Sequence, residues 1–259
     1  MASTNFPHAI VINGLYNDYM KLWSETILSG DHNKDAIVFL HGTGSNSNMW
    51  KNQVHFFSKL GHPCFLIDLR GHGSSHEPYE TTNLQTHLDD IQQTLHSSQI
   101  PLPAYFVGHS LGAIIAIFLA EKKPDLVKGI FAAALPGKVI PEINKAFRLF
   151  MSGPMQTLKE SDFKQYLSWR MRTLVEMPPF TLEQISTNFA QINLIESLPR
   201  INCPVHLACG RFDPVALYWH AFKIQQKLPG STVKIFEWGG HNFMDASPKA
   251  FNDWILQYL

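Results

Sequence analysis

The chain has 259 residues, 21 basic and 21 acidic side chains, a formal net charge of zero and 45% hydrophobic residues. A chain of that length buries most of its apolar surface without metals or disulfides, and it suits a single α/β domain carrying an insertion. Balanced charge removes the electrostatic basis for a nucleic acid or an anionic membrane surface as partner, and no uncharged apolar run reaches the length of a bilayer span, about 20 residues.

The opening residues MASTNFPHAIV lack the basic start and continuous apolar stretch of a signal peptide, so a cytoplasmic location is expected. Residues 8–12, a turn at Asn13 and Gly14, and residues 19–28 predict an antiparallel hairpin of two edge strands. Short β-rich apolar runs then recur at residues 36–40, 64–67, 105–107, 130–133, 205–208 and 233–236, with helical spacing between most of them. Leu84, Leu88, Ile91 and Leu95 fall on one helix face. Residues 111–123 are apolar nearly all round and end at Lys122, Lys123 and Pro124, which suits a helix packed on a sheet with lysines near its C-terminal dipole. Strands alternating with helices predict a mostly parallel sheet covered on both faces. Cys64, Cys203 and Cys209 lie beside or inside these strand runs and read as reduced core residues.

The alternation breaks between Leu135 and Arg200, where the spacing is helical throughout: Phe147, Phe150 and Met151, then Phe163, Tyr166, Trp169 and Met171, then Ile185, Phe189 and Ile192. So few residues make a poor independent core. The expected organisation is a core over residues 1–134, a helical cap over 135–200 and the rest of the core over 201–259. Ser247 followed by Pro248 predicts the N-cap and first position of a terminal helix.

The chemistry starts at Gly108–His109–Ser110–Leu111–Gly112, between a strand run and a helix. A nucleophile exposed at the end of a sheet sits on a tight, strained turn whose neighbours two positions away must be small. The helix that follows aims backbone N–H groups at a developing oxyanion. A serine hydroxyl needs a base, and the base needs an acid to fix its tautomer and orientation. Position selects His241 from the 13 histidines: it follows the last strand run in Gly239–Gly240–His241. Asp213 follows the run at 205–208, and it doubles as a helix cap before Pro214. Both loops leave the carboxyl ends of strands in a parallel sheet, the edge where ligands bind. The run one strand earlier, at 130–133, offers no carboxylate in its loop before Glu142, and Glu237 is a distant second choice for the acid.

The motifs His41–Gly42–Thr43–Gly44, Asp68–Leu69–Arg70–Gly71–His72–Gly73–Ser74–Ser75, Gly108–His109–Ser110–Leu111–Gly112, Gly210–Arg211–Phe212–Asp213 and Gly240–His241 resemble, in order and over nearly the whole chain, the α/β-hydrolase superfamily. The resemblance implies an α/β-hydrolase fold: a mostly parallel central sheet with an N-terminal antiparallel hairpin, helices on both faces and a helical cap. It also implies an oxyanion hole formed by the backbone N–H groups of Thr43 and Leu111, with Gly44 as the alternative to Thr43. His41 and His72 are expected to hold loops together, and His109 to lock the turn or line the pocket.

A serine at 110 rather than an aspartate argues against haloalkane dehalogenase or epoxide hydrolase chemistry. The expected reaction is attack on a carbonyl (an ester, lactone, thioester or amide, or a carbon–carbon bond) through an acyl-enzyme. The aromatic and methionine content of the cap favours a small-molecule, apolar acyl substrate, and nearly matched cap charges give no handle for coenzyme A or a carrier protein. No cofactor or metal is required, and the histidines near the site lack paired zinc-site spacing. The alternatives are a cofactor-free haloperoxidase or perhydrolase, a ligand receptor with a slow triad, and a lyase using His241 alone.

Overall fold

The computed structural model describes residues 9–10, 22–27, 34–76 and 79–259. In chain order the strands are β1 (Ala9–Ile10), β2 (Ser24–Ile27), β3 (Ile37–Leu40), β4 (Cys64–Ile67), β5 (Ala104–His109), β6 (Val127–Ala133), β7 (Val205–Gly210) and β8 (Thr232–Phe236). They form one sheet in the order β1-β2-β4-β3-β5-β6-β7-β8. The β1/β2 and β2/β4 pairs are antiparallel and all others parallel. The expected hairpin is present as β1 and β2, but only β1 lies at the edge, because β2 also pairs with β4. The turn expected at Asn13 and Gly14 lies outside the described residues.

Strand order reverses between β3 and β5: the chain runs outward from β3 to β4, then returns to the other side of β3. In open α/β sheets ligands bind in the crevice outside the carboxyl ends of strands at such a reversal. The loop after β3 and the turn after β5 both open there.

Every residue of β3, β4, β5 and β7 is buried, which is why these strands read as continuous rather than alternating apolar runs. On one face the helices α2 (Leu84–His96), α3 (Leu111–Lys122) and α8 (Tyr218–Gln225) pack on Val38, Leu40, Phe106 and Ile130. On the other, α1 (Lys51–Lys59), α9 (Phe243–Ala246) and α10 (Pro248–Leu256) cover Ile37, Phe39, Val107 and Phe131. The predicted face of α2 is the one it buries: Leu88, Ile91 and Leu95 are in the core, with Leu84 packed at its margin. The helix starts at a capping box, with the Thr86 N–H donating to the Asn83 side chain and the Asn83 N–H to Thr86 Oγ1. Ser247 precedes α10 but its side chain makes no capping bond, and Pro248 alone marks the start. Among the described residues no helix is long and apolar enough to cross a membrane.

Cys64 and Cys209 are buried, Cys203 is half-buried, and none is in a disulfide. Burial pushes the thiols of Cys64 and Cys209 up to about 12, so neither carries the thiolate that redox or nucleophilic chemistry needs.

Between β6 and β7 the chain forms α4 (Pro141–Ser152), α5 (Pro154–Glu160), α6 (Trp169–Glu176) and α7 (Pro179–Asn188). The only strand-like contact in this segment is an isolated bridge between Lys138 and Asn193. Met151, Met155, Val175, Met177 and Leu182 form a small core of its own. Phe163 and Tyr166 do not join it. They lie on a short 3-10 turn and are 69% and 78% exposed, so helical spacing there did not mark a buried face.

One polar tie inside the fold has a large expected effect on stability. Arg70 donates from Nε and Nη2 to the two carboxylate oxygens of Asp90 on α2, both at 2.6 Å, with the Asp90 side chain fully buried. Removing one partner strands the other charge away from water. Asp90→Ala is expected to lower unfolding free energy by about 3–5 kcal/mol, measured by urea denaturation; a loss under about 1 kcal/mol, as for an exposed pair, would contradict this.

Candidate active site

Ser110 stands between β5 and α3 with φ 50° and ψ −109°, a left-handed backbone for a residue with a Cβ. Such a conformation costs roughly 1–3 kcal/mol and persists only where the surroundings impose it. Here they do. The Ser110 N–H donates to the Ala133 carbonyl at 2.9 Å, and its own carbonyl accepts from the N–H groups of Ala113 and Ile114 in the first turn of α3. A Cβ on Gly108 would lie 2.5 Å from the Gly112 carbonyl oxygen, and one on Gly112 would lie 2.4 Å from that of Leu40. Both glycines are therefore required by backbone packing, as the motif predicts. Leu111 is the first residue of α3, so its N–H has no partner within the helix and is available at the turn.

His241 lies in the loop after β8, and its Nδ1 donates to Asp213 Oδ2 at 2.8 Å. The other Asp213 oxygen accepts from the N–H groups of Val215 and Ala216 at 2.8 and 2.9 Å. The Asp213 side chain is fully buried and that of His241 partly exposed. With Nδ1 carrying the proton, Nε2 of His241 is left with its lone pair. Asp213 does cap a turn, but α8 begins only at Tyr218, so the expected helix start at Pro214 is displaced. Glu237 is exposed and held in a two-point pair by Arg211, and Glu142 lies exposed in the first turn of α4; neither reaches His241.

Ser110 and His241 line one cavity of about 570 Å3 together with Thr43, Gly44, Leu111 and His109. Ile140, Phe147, Phe150, Met171 and Leu174 close it from the helical segment. The chain is tight around Gly44, with φ 70°, where a Cβ would sit 2.3 Å from Leu174 Cδ1.

His109 lines the cavity and also locks the site: its Nε2 donates to the His241 carbonyl at 2.9 Å. Burial, then the neighbouring His241, holds it neutral. His41 accepts the Leu69 N–H on Nε2 and donates from Nδ1 to the Gly42 carbonyl, joining the loops after β3 and β4. His72 donates from Nδ1 to the Arg70 carbonyl, a structural role as expected.

A sequence profile described as the alpha/beta hydrolase family matches residues 37–254. The chain belongs to the alpha/beta hydrolase family. It is 25% identical over 252 residues to a non-heme chloroperoxidase of Streptomyces lividans, covering 86% of this chain and 91% of that protein. It is also 25% identical over 241 residues to the (E)-2-((N-methylformamido)methylene)succinate hydrolase of Acinetobacter baylyi, covering 87% and 90%. A hydrolase from Pseudomonas aeruginosa has the same fold, with a TM-score of 0.79 at 19% identity and 98% of each chain covered.

Two residues of this hydrolase have structural parts that the sequence reading did not assign. Asp68, in a matched motif, accepts from the N–H of Ser47 at 2.7 Å and of Ser74 at 2.9 Å, so it ties the loop after β4 to the segment just beyond Thr43. Gly73 is needed beside it, since a Cβ there would lie 2.2 Å from Asp68 Oδ2. Arg170 on α6 lines the cavity and pairs through Nε with Asp245 on α9.

The buried histidines give the hydrolase a defined acid response. Burial lowers His41 from 6.5 to about 4, and burial together with His41 lowers His72 to about 3. The unfolded chain takes up protons below about pH 6.5 that the folded chain does not, so stability is full above that value and is lost as pH falls towards 4. The urea midpoint is expected to drop steadily between pH 6.5 and 4, and a flat profile across that interval would contradict this assignment.

Proposed function

We propose that the protein is a serine hydrolase that cleaves a carboxylic ester or a related carbonyl substrate through an acyl-enzyme. Ser110 is the nucleophile, His241 the general base and Asp213 the acid that orients it. The observation that carries this reading is the shared cavity: a serine on a strained strand-to-helix turn opens into the same space as a histidine whose tautomer is fixed by a buried carboxylate.

In this mechanism His241 Nε2 removes the Ser110 proton as Oγ attacks the carbonyl carbon. The tetrahedral oxyanion is held by the N–H groups of Thr43 and Leu111. The proton then passes from His241 to the leaving alcohol as the C–O bond breaks. Water, deprotonated by His241, attacks the acyl-enzyme, and the same proton returns to Ser110 as the acid departs. Residues 135–200 act as a cap that excludes water and sizes the acyl pocket. The mostly aliphatic and aromatic lining supports an apolar acyl chain of small or medium length.

Cofactor-free peroxidation is the second reading, supported by the similarity to a non-heme chloroperoxidase. A panel of p-nitrophenyl esters of rising chain length, run beside a halogenation assay with peroxide and acetate, tests both. Ester turnover with a chain-length optimum is expected. Halogenation without ester turnover would replace the hydrolase reading with the second one.

A further inference from the structure

We propose that Arg170 is the specificity residue of this cavity and that it selects substrates whose acyl chain carries a carboxylate. The inference rests on the reading of Ser110 as nucleophile and names the substrate class that the site would take.

The helical segment carries several cations, and the structure sorts them. Arg148 pairs with Glu183 and Lys164 with Glu176, both on the outer surface. Lys138 and Arg170 instead line the cavity, and no Asp or Glu lines it with them. Arg170 commits Nε to Asp245 and stacks over the Trp169 ring, its guanidinium carbon 4.8 Å from the ring centre. Its Nη2 is buried and finds no acceptor in the protein. A buried, charged donor without an acceptor is costly, and the cost is removed by a ligand that supplies one. Arg170 is already fixed by Asp245 and Trp169, so little of its rotamer freedom remains to be lost on binding.

Charge decides between anions. Arg170 is offset by Asp245, so its free fork offers a hydrogen-bond donor with little net charge, which a monoanionic carboxylate matches better than a dianionic phosphate ester. The cavity that Arg170 lines is also walled by Phe147, Phe150, Met171 and Leu174, which suits a methylene chain rather than a sugar. The ligand that satisfies both features is an apolar chain ending in a carboxylate, with the scissile carbonyl at Ser110. The charge of Arg170 reaches the serine end as well. After burial and His241, it is a further influence keeping His109 neutral.

The test compares kcat/KM for p-nitrophenyl hexanoate with that for the p-nitrophenyl half-ester of adipic acid, in which a carboxylate replaces the terminal methyl of the same six-carbon chain. The wild type is expected to favour the half-ester by about tenfold or more, the effect of one charge-assisted hydrogen bond. Arg170→Gln should bring that ratio to about one. Arg170→Lys retains the charge but not the fork, and should lower the ratio by roughly threefold or more. Asp245→Asn keeps the guanidinium and should hold the ratio at or above the wild-type value. A wild-type ratio of one or less, or a preference that survives Arg170→Gln, overturns the proposal.

Hydrolysis of p-nitrophenyl hexanoate by the wild type tests the esterase reading by itself. If neither ester is turned over, that reading fails. Thermal shift of the Ser110→Ala protein still decides the role of Arg170. Hexanoate should raise Tm where hexanol does not, and that difference should vanish when Arg170→Gln is added; equal effects of the two ligands, or a difference that survives Arg170→Gln, would count against Arg170.

Discussion

Replacing Ser110 with alanine is expected to lower kcat by roughly 10³-fold or more, with far-UV circular dichroism and Tm near the wild-type values. The substitution removes one oxygen and leaves the turn's hydrogen bonds in place, because the Ser110 N–H and carbonyl, not its hydroxyl, bind Ala133, Ala113 and Ile114. The strain at φ 50° remains with alanine, which has the same Cβ. Loss of turnover would therefore report chemistry rather than folding. Residual rate is expected from the oxyanion donors and binding alone, which act without a nucleophile. Steady-state kinetics on the best p-nitrophenyl ester checks this. A variant retaining more than about a tenth of wild-type kcat would remove Ser110 from the mechanism.

Asp213→Asn is expected to be as severe or worse, with kcat lowered by about 10⁴-fold. The reason lies in which atoms bind the carboxylate. One oxygen accepts two backbone N–H groups, from Val215 and Ala216, and the other accepts Nδ1–H of His241. An asparagine has one acceptor oxygen. Keeping it on the two backbone donors turns the amide NH2 towards His241, so Nδ1 must become the acceptor. The imidazole proton then moves to Nε2, and the nitrogen facing the cavity becomes a donor with no lone pair for the serine proton. The opposite orientation of the amide leaves two buried N–H groups unpaired, at about 1–3 kcal/mol each. The pH–rate profile separates the two causes. A wrong tautomer is partly rescued above pH 8, where hydroxide can serve as base, whereas a displaced loop is not. A loss smaller than about tenfold would mean that Asp213 serves only as a turn cap.

Most of the fold, and the meeting of Ser110 and His241 at one cavity with Asp213 bonded to His241, could be read from sequence for identifiable physical reasons. The strands β3, β4, β5 and β7 are buried throughout, and β6 at all but Lys128, so they stand out as apolar runs. Gly108 and Gly112 are forced by contacts within a few residues of the turn and against β3, so the spacing itself carries the geometry. Asp213 and His241 were found by their places after strands, which the parallel topology converts into proximity. Arg170 was hidden for the opposite reason. It lies on an amphipathic helix among other cations, and only packing against α9 shows which face meets the cavity. The part played by Asp68 was equally out of reach, since its two N–H partners come from loops 21 residues before and 6 after it. Phe163 and Tyr166 mark a further boundary: spacing by helical period does not tell a buried face from a short turn open to water.

The proposed mechanism turns on an activated serine at position 110, and covalent labelling tests that most directly. Wild-type protein and Ser110→Ala are treated with a fluorophosphonate, digested and mapped by mass spectrometry. The expected result is a single adduct on Ser110 in the wild type and none in the variant. An adduct on another residue, or folded wild-type protein that remains unlabelled, would contradict the assignment of Ser110 and His241 as a catalytic pair.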